Sequence, residues 1–407
     1  GMVVDYLISK YGEERVCQII NFSFITPVVA LKDVGKVLGF PYKEMDKLSK
    51  NFIYSTFEEC LANNKELADN PKYEELFDIA GHLSGRVKTT SIHAGGVGIV
   101  DGKVTNFMPM KLGPEGEHVI QVDKRLVEEI GIIKYDILGV ASLGLVQEAQ
   151  NDAGVSDWEI NINNPKFEFD EESYKLLSSA MTNGVFQVES AGMKDLLIRL
   201  KPTELSMISA VLALYRPDSM GALEEYIECS KHPEKVTYIH PDMEPILKET
   251  YGCMIYQEQL LDIVRKFGGR SYGGADLLRK AIGKKNIELV KQESAKLYQE
   301  IIDNGYSKDL AKQISDDLST KGGYLFNKSH SYSYAVLCLQ TAYLKCHYSK
   351  YFFNALFNMN KNKPGMINKH ILDARQFRVE ILPPNINKSK MNFSVTSTLS
   401  ALSPFNL

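Results

Sequence analysis

The chain has 407 residues, 44% apolar and 24% charged, with a formal net charge of −4. That is material for two or three domains in the composition of an ordinary globular protein. It excludes a globally basic nucleic-acid coat, so any contact with nucleic acid has to come from local patches. No apolar run reaches the roughly 18–20 residues of a membrane span; the densest, Tyr334–Leu339, is broken by Gln340 and Thr341. Six scattered cysteines, Cys17, Cys60, Cys229, Cys253, Cys338 and Cys346, show no Cys-x-x-Cys and no ligand-like histidine spacing. This points away from structural zinc and towards reduced thiols in a cytoplasmic protein. The opening Gly1-Met2 reads as a tag remnant rather than a signal peptide.

The stretch MVVDYLISKYGEERVCQII reads as helix, with Tyr6, Leu7, Tyr11 and Val16 on its buried side. Charged helical sequence follows as far as Lys88. SIHAGGVGIVDGKV reads as a strand, a two-residue turn at Asp101-Gly102 and a returning strand. IGIIKYDILGV is a further strand, in which alternation puts Lys134 and Asp136 on one face and Ile133, Tyr135 and Ile137 on the other. An aspartate in so apolar a strand is costly unless a cation or hydrogen-bond donors meet it, which marks Asp136 as a candidate.

From residue 141 the pattern is helical. LGLVQEAQNDAG leads to a polar loop with the only tryptophan, Trp158, and helix resumes at Asp170. In GVFQVESAGMKDLLIRLKPTEL, Ser190 is an N-cap, Met193, Leu196, Leu197 and Leu200 form the core stripe, and Lys194, Arg199 and Lys201 lie outside it. In YGCMIYQEQLLDIVRKFGGRSYGGADLLRKAIGKK, glycine breaks at Gly268-Gly269 and Gly273-Gly274 precede a basic helix. There Leu277, Leu278, Ala281 and Ile282 share an arc, Arg279 and Lys280 point away, and Lys284 sits a turn beyond Lys280. Cations behind glycines suit a polyphosphate; a solvated helix face gives the same pattern. After two charged helices, FNKSHSYSY opens a buried helix whose amino end, Asn327, Lys328, Ser329 and His330, favours an anion. EILPPNINKSKMNFSV is extended.

YGCMIYQEQ, GGADLLRKAIGKK, FNKSHSYSYAVLCLQTAYLK, the His93-Ala94-Gly95-Gly96 block, the Asp136 strand and the Val185–Ser190 turn resemble, in order along nearly the whole chain, the C-family bacterial replicative DNA polymerases, the DNA polymerase III alpha subunits. The resemblance implies an α+β, predominantly α-helical fold: a partial mixed-sheet palm over 1–31 and 86–140, an inserted helical thumb over 32–85, a large helical fingers domain over 141–380, and an extended segment over 381–407. It implies template-directed addition of deoxynucleotides to a primer 3′ end by two-metal phosphoryl transfer with Mg2+. Asp136 corresponds to a catalytic, magnesium-binding aspartate, with Lys134 beside it. Arg279, Lys280, Lys284, Lys285, Asn327, Lys328, Ser329 and His330 would hold the nucleotide, His330 near the sugar. Lys88, His93, Gln187, Ser190, Lys194, Arg199 and Arg216 would contact DNA.

Departures from the family are Lys32 and Lys36, where arginine is common, Leu325 in place of a glycine, and a short LYRPDSM loop that weakens the case for Arg216. No Asp-x-Asp pair occurs in the 407 residues, so the expectation is a piece of polymerase inactive by itself. Its expected partners are primer-template DNA, deoxynucleoside triphosphates and other replicase subunits, with no membrane; the family's own clamp- and tau-binding parts would lie past Leu407. The alternatives are a non-catalytic DNA-binding paralogue and a protein-interaction module on the same scaffold.

Overall fold

The computed structural model describes residues 2–396 apart from 125, 128, 217, 218 and 284–286. The fold is α+β and predominantly helical, in two units, residues 1–139 and 140–407.

Unit one holds a mixed five-stranded sheet: β1 (Val16–Phe24), β2 (Val87–Ile99), β3 (Met110–Leu112), β4 (His118–Ile120) and β5 (Ile133–Asp136), in the order β3-β4-β1-β2-β5. β1 runs antiparallel to β2 and parallel to β4, and β5 is an edge strand antiparallel to β2. Cys17, Ile19, Val104, Ile120 and Ile132 pack on the sheet. Between β1 and β2 the chain makes a helical excursion with its own core, Leu31, Met45, Phe52, Phe57, Leu76 and Phe77. Thr26 starts its first helix, Pro27–Val37: the hydroxyl accepts from the Val29 N–H and Pro27 supplies a preset φ.

Two expectations of secondary structure fail in this unit. The first helix covers only Met2–Tyr11; Gly12, at φ +97°, ends it, and Val16 opens β1. Tyr6 and Tyr11 are exposed, whereas Val16 is buried in the sheet. The β-branched run around Val16, Ile19 and Ile20 pairs with β2, and that ladder outweighs the helical period read across the glycine. Nor does the strand after Asp101-Gly102 return along β2. Both edges of β2 are taken, by β1 and β5, so the chain passes through a short turn at Val104–Asn106 and β3 pairs with β4.

Unit two has two cores. One surrounds the Lys328–His347 helix, packed against Leu205–Leu214, Ala141–Ala153 and Ser349–Asn360. The other joins the helices Gln257–Gly268, Tyr272–Gly283, Ile287–Asp303 and Lys308–Lys321. The Ala191–Leu200 helix forms as its sequence dictates, with Ser190 accepting from the Met193 N–H and Met193, Leu196, Leu197 and Leu200 buried. Residues 381–396 carry no helix or strand. Among the described residues no helix is long and apolar enough to cross a membrane.

Candidate active site

Asp136 ends β5 opposite Gly96 of β2. Its side chain is 58% exposed, with the Lys134 ammonium 3.2 Å away on the same face. The expected cost of burying this aspartate is therefore not incurred. Ile133 and Tyr135 are exposed as well, because β5 lies at the sheet edge. An exposed carboxylate beside one cation is open to an ion.

The His93-Ala94-Gly95-Gly96 block is a bulge. Gln18 pairs with Val97 and Ile20 with Ile92, so two steps along β1 correspond to five along β2. His93 closes it: Nδ1 accepts from the Gly96 N–H at 2.9 Å, which leaves the ring proton on Nε2. A Cβ on Gly95 would come within 2.5 Å of the Leu138 side chain, and the Ile137 N–H donates to the Gly95 carbonyl at 2.6 Å. A side chain there would have to displace the exposed Leu138 and crowd the Ile137 carbonyl, 3.3 Å from such a Cβ, where the chain leaving Asp136 crosses the bulge. A cavity of about 360 Å³ opens there, bordered by Gln18, His93, Gly95, Ile137 and Gly139. Lys88 sits towards the other end of β2, paired with Asp33 at 2.9 Å.

In unit two the basic helix is Tyr272–Gly283. Ala275, Leu278, Ala281 and Ile282 are buried, but Leu277 is 58% exposed: the small Ala275, one turn before Leu278, takes the place expected of it. Arg279 Nε donates to Asp276 at 2.6 Å and Lys280 Nζ to the same carboxylate at 2.9 Å. Bonds from Lys280 and Arg279 hold the Asp276 carboxyl below the usual carboxylate range. Lys284 and Lys285 lie outside the described residues.

Arg270, which sequence reasoning passed over, is the buried cation of this region. Its side chain is 8% exposed and donates to Glu293 and Glu300, each at 2.6 Å, and to the Glu293 carbonyl. Burial pushes the Glu293 carboxyl up, but bonds from Arg270 and Lys296 outweigh it and leave it below the ordinary range. Its place between two glycine pairs, in FGGRSYGG, was the available signal.

The amino end of the Lys328–His347 helix already holds an anion, and it is Glu258. Its carboxylate accepts from the Lys328 N–H at 2.9 Å and from the Asn327 side-chain amide at 2.9 Å. Asn327 Oδ1 caps the helix by accepting from the His330 N–H at 2.8 Å and from the Ser329 hydroxyl at 2.7 Å. Lys328 Nζ reaches Glu249 at 2.5 Å. His330 is exposed, its ring 4.2 Å from that of Tyr334 and 5.5 Å from that of Phe326. Beside Glu258, Gln257 donates its N–H to the Phe326 carbonyl at 2.8 Å and accepts from Arg279 at 3.4 Å. The first turn of the Gln257–Gly268 helix therefore gathers the basic helix and the Asn327–His330 turn. Arg216 joins them, donating to the Tyr324 carbonyl at 2.7 Å with its guanidinium 4.7 Å from the Phe326 ring.

The other DNA candidates do not join this group. Lys194 donates to Asn183 at 2.7 Å and Arg199 pairs with Glu224. Gln187 is exposed at φ +66° and Ser190 is spent as a cap. Behind them Lys345 is fully buried, donating to the Met181 and Asn183 carbonyls and to Asp373, each at 2.7 Å. Burial pulls its ammonium down to about 8, against the attraction of Asp373.

Residues 143–305 match the family described as bacterial DNA polymerase III alpha subunit finger domain, and residues 1–139 that described as bacterial DNA polymerase III alpha NTPase domain. The chain is 36% identical over 97% of its length to DNA polymerase III subunit alpha of Aquifex aeolicus, covering 36% of that protein. It is 35% identical to the Bacillus subtilis protein of that name, over 97% of this chain and 36% of the other. For the Deinococcus radiodurans protein the figures are 35%, 97% and 31%. The chain spans about a third of the length of these relatives. All of these matches are to bacterial DNA polymerase III alpha subunits, and the finger-domain match contains the Arg279 helix and the Gln257–Glu258 turn.

Proposed function

We propose that this chain is the palm, thumb and fingers portion of a bacterial replicative DNA polymerase, with unit two binding the triphosphate of the incoming deoxynucleotide. The palm corresponds to 1–31 and 86–140, the thumb to 32–85 and the fingers to 141–380. One observation carries the reading: Arg279, Lys280 and Lys328 are held around the Gln257–Glu258 turn on carboxylates, Asp276 and Glu249, that a phosphate can replace. Charge-assisted bonds from these cations neutralise the triphosphate as charge moves to the leaving pyrophosphate. In this reading the exposed His330 ring, 4.2 Å from that of Tyr334, would face the sugar.

Magnesium is the metal this family implies, and the exposed Asp136 carboxylate suits it as one ligand. Two ions about 3.5–4 Å apart need several carboxylates. Among the described residues Asp136 belongs to no group of three or more His, Cys, Asp or Glu ligand atoms. The described residues do not complete a two-metal cage. Lys134 steadies the carboxylate and primer-template DNA is the substrate, with the exposed Lys88 and Gln187 among its contacts.

Primer extension tests the reading. The 407-residue chain, with Mg2+ or Mn2+, is expected to bind a deoxynucleoside triphosphate without extending a primer. Template-directed extension abolished by Asp136→Asn would show that the cage is completed from within these residues.

A further inference from the structure

Glu172, Cys346 and His347 bring a carboxylate oxygen, a thiol sulfur and an imidazole nitrogen within 4.8 Å of one another. We propose that these three side chains form a binding site for a zinc-class divalent cation, joining the carboxyl end of the Lys328–His347 helix to the amino end of the Glu171–Ser178 helix. Cys346 Sγ lies 3.7 Å from Glu172 Oε2, and His347 Nδ1 lies 4.0 Å from the same oxygen. Zinc bonds of about 2.0–2.3 Å at tetrahedral angles place donors roughly 3.4–3.7 Å apart, so these two pairs need a contraction of only tenths of an ångström.

The orientation of His347 is the second observation. Its Nε2 meets Asp170 Oδ2 at 2.9 Å. That bond holds a proton on Nε2 and leaves Nδ1 on the Glu172 side of the ring, the carboxylate–histidine arrangement found behind metal-bound imidazoles; a metal ion there would take the place of any proton on Nδ1. Asp170 is itself fixed, accepting from the backbone and hydroxyl of Ser173. The Tyr343 ring lies 4.4 Å from the imidazole, His347 is exposed, and Cys346 is 1% exposed. A carboxylate and a thiolate together neutralise a divalent ion, the imidazole adds a neutral ligand, and a water fills the fourth position. The thiolate selects a zinc-class ion over magnesium. Cysteine spacing pointed away from zinc because Glu172 is remote in sequence from Cys346 and His347, and only the packing of the two helices unites them.

Cobalt titration of the metal-free 407-residue chain tests this. We expect one Co2+ per chain, with a thiolate-to-metal charge-transfer band in the near ultraviolet and the strong visible bands of four-coordination, both displaced by Zn2+. Cys346→Ser abolishes the charge-transfer band and Cys229→Ser leaves it intact. Asp170→Asn weakens binding about 10- to 100-fold. Glu172→Gln, a milder change at a part-exposed position, lowers affinity without depending on the buried thiol. Absence of the band in the parent, its survival in Cys346→Ser, or unchanged affinity in Glu172→Gln would overturn the site.

Discussion

Glu258 holds the amino terminus of the Lys328–His347 helix: its carboxylate accepts from the Lys328 backbone N–H at 2.9 Å, where a helix dipole invites negative charge. A phosphate arriving there competes with this side chain. Glu258→Ala is therefore expected to lower stability by about 1–2 kcal/mol, the scale of a lost cap, and to tighten triphosphate binding. Urea melts and a nucleotide titration measure the two effects. A variant unchanged in both would remove Glu258 from the anion site.

Arg270 bridges Glu293 and Glu300 with a side chain only 8% exposed. Replacing it by methionine removes the buried partner of Glu293 and leaves only the exposed Lys296, 3.2 Å away; breaking a buried pair costs about 3–5 kcal/mol, and Lys296 holds the loss at the lower end. Restoring compatibility with Glu293→Leu should recover part of that loss, since a matched apolar pair tolerates burial where a carboxylate short of its buried partner does not. Equal melting of Arg270→Met and the parent would contradict this.

Lys345 offers a pH test. Its folded value of about 8 lies below the roughly 10.4 of an exposed lysine. Between these values the unfolded chain binds more protons than the folded one, so the contribution of this group to stability grows as pH rises. The stability difference between parent and Lys345→Met should therefore widen in the parent's favour from pH 8 to about 10.4. A gap that narrows over that range would show that Asp373 holds the ammonium more strongly than burial penalises it.

The parts legible in the sequence were those decided by local chemistry. Ser190 and its spaced Met193, Leu196, Leu197 and Leu200 specify a capped amphipathic helix with no help from elsewhere. Val16 was misread because its strand depends on partners at residues 97–99, far along the chain. Asp136 was expected to be buried because alternation reports the two faces of a strand, not whether it lies at an edge. The cations of the Arg279 helix were visible, but the acids that hold them were not. Asp276 lies three residues before Arg279, yet Glu249 and Glu258 reach Lys328 only through the packing of three segments.

In the proposed function Arg279 and Lys280 bind the triphosphate of a nucleotide. The most direct measurement is equilibrium binding of a deoxynucleoside triphosphate with Mg2+ to the parent, Arg279→Ala, Lys280→Ala and the control Lys88→Ala. Loss of one charge-assisted contact is worth about 1.5–3 kcal/mol, so each of the first two variants should bind roughly 10- to 100-fold more weakly. Lys88→Ala, in the other unit, should bind as the parent does. Equal affinity in all four proteins would contradict the account.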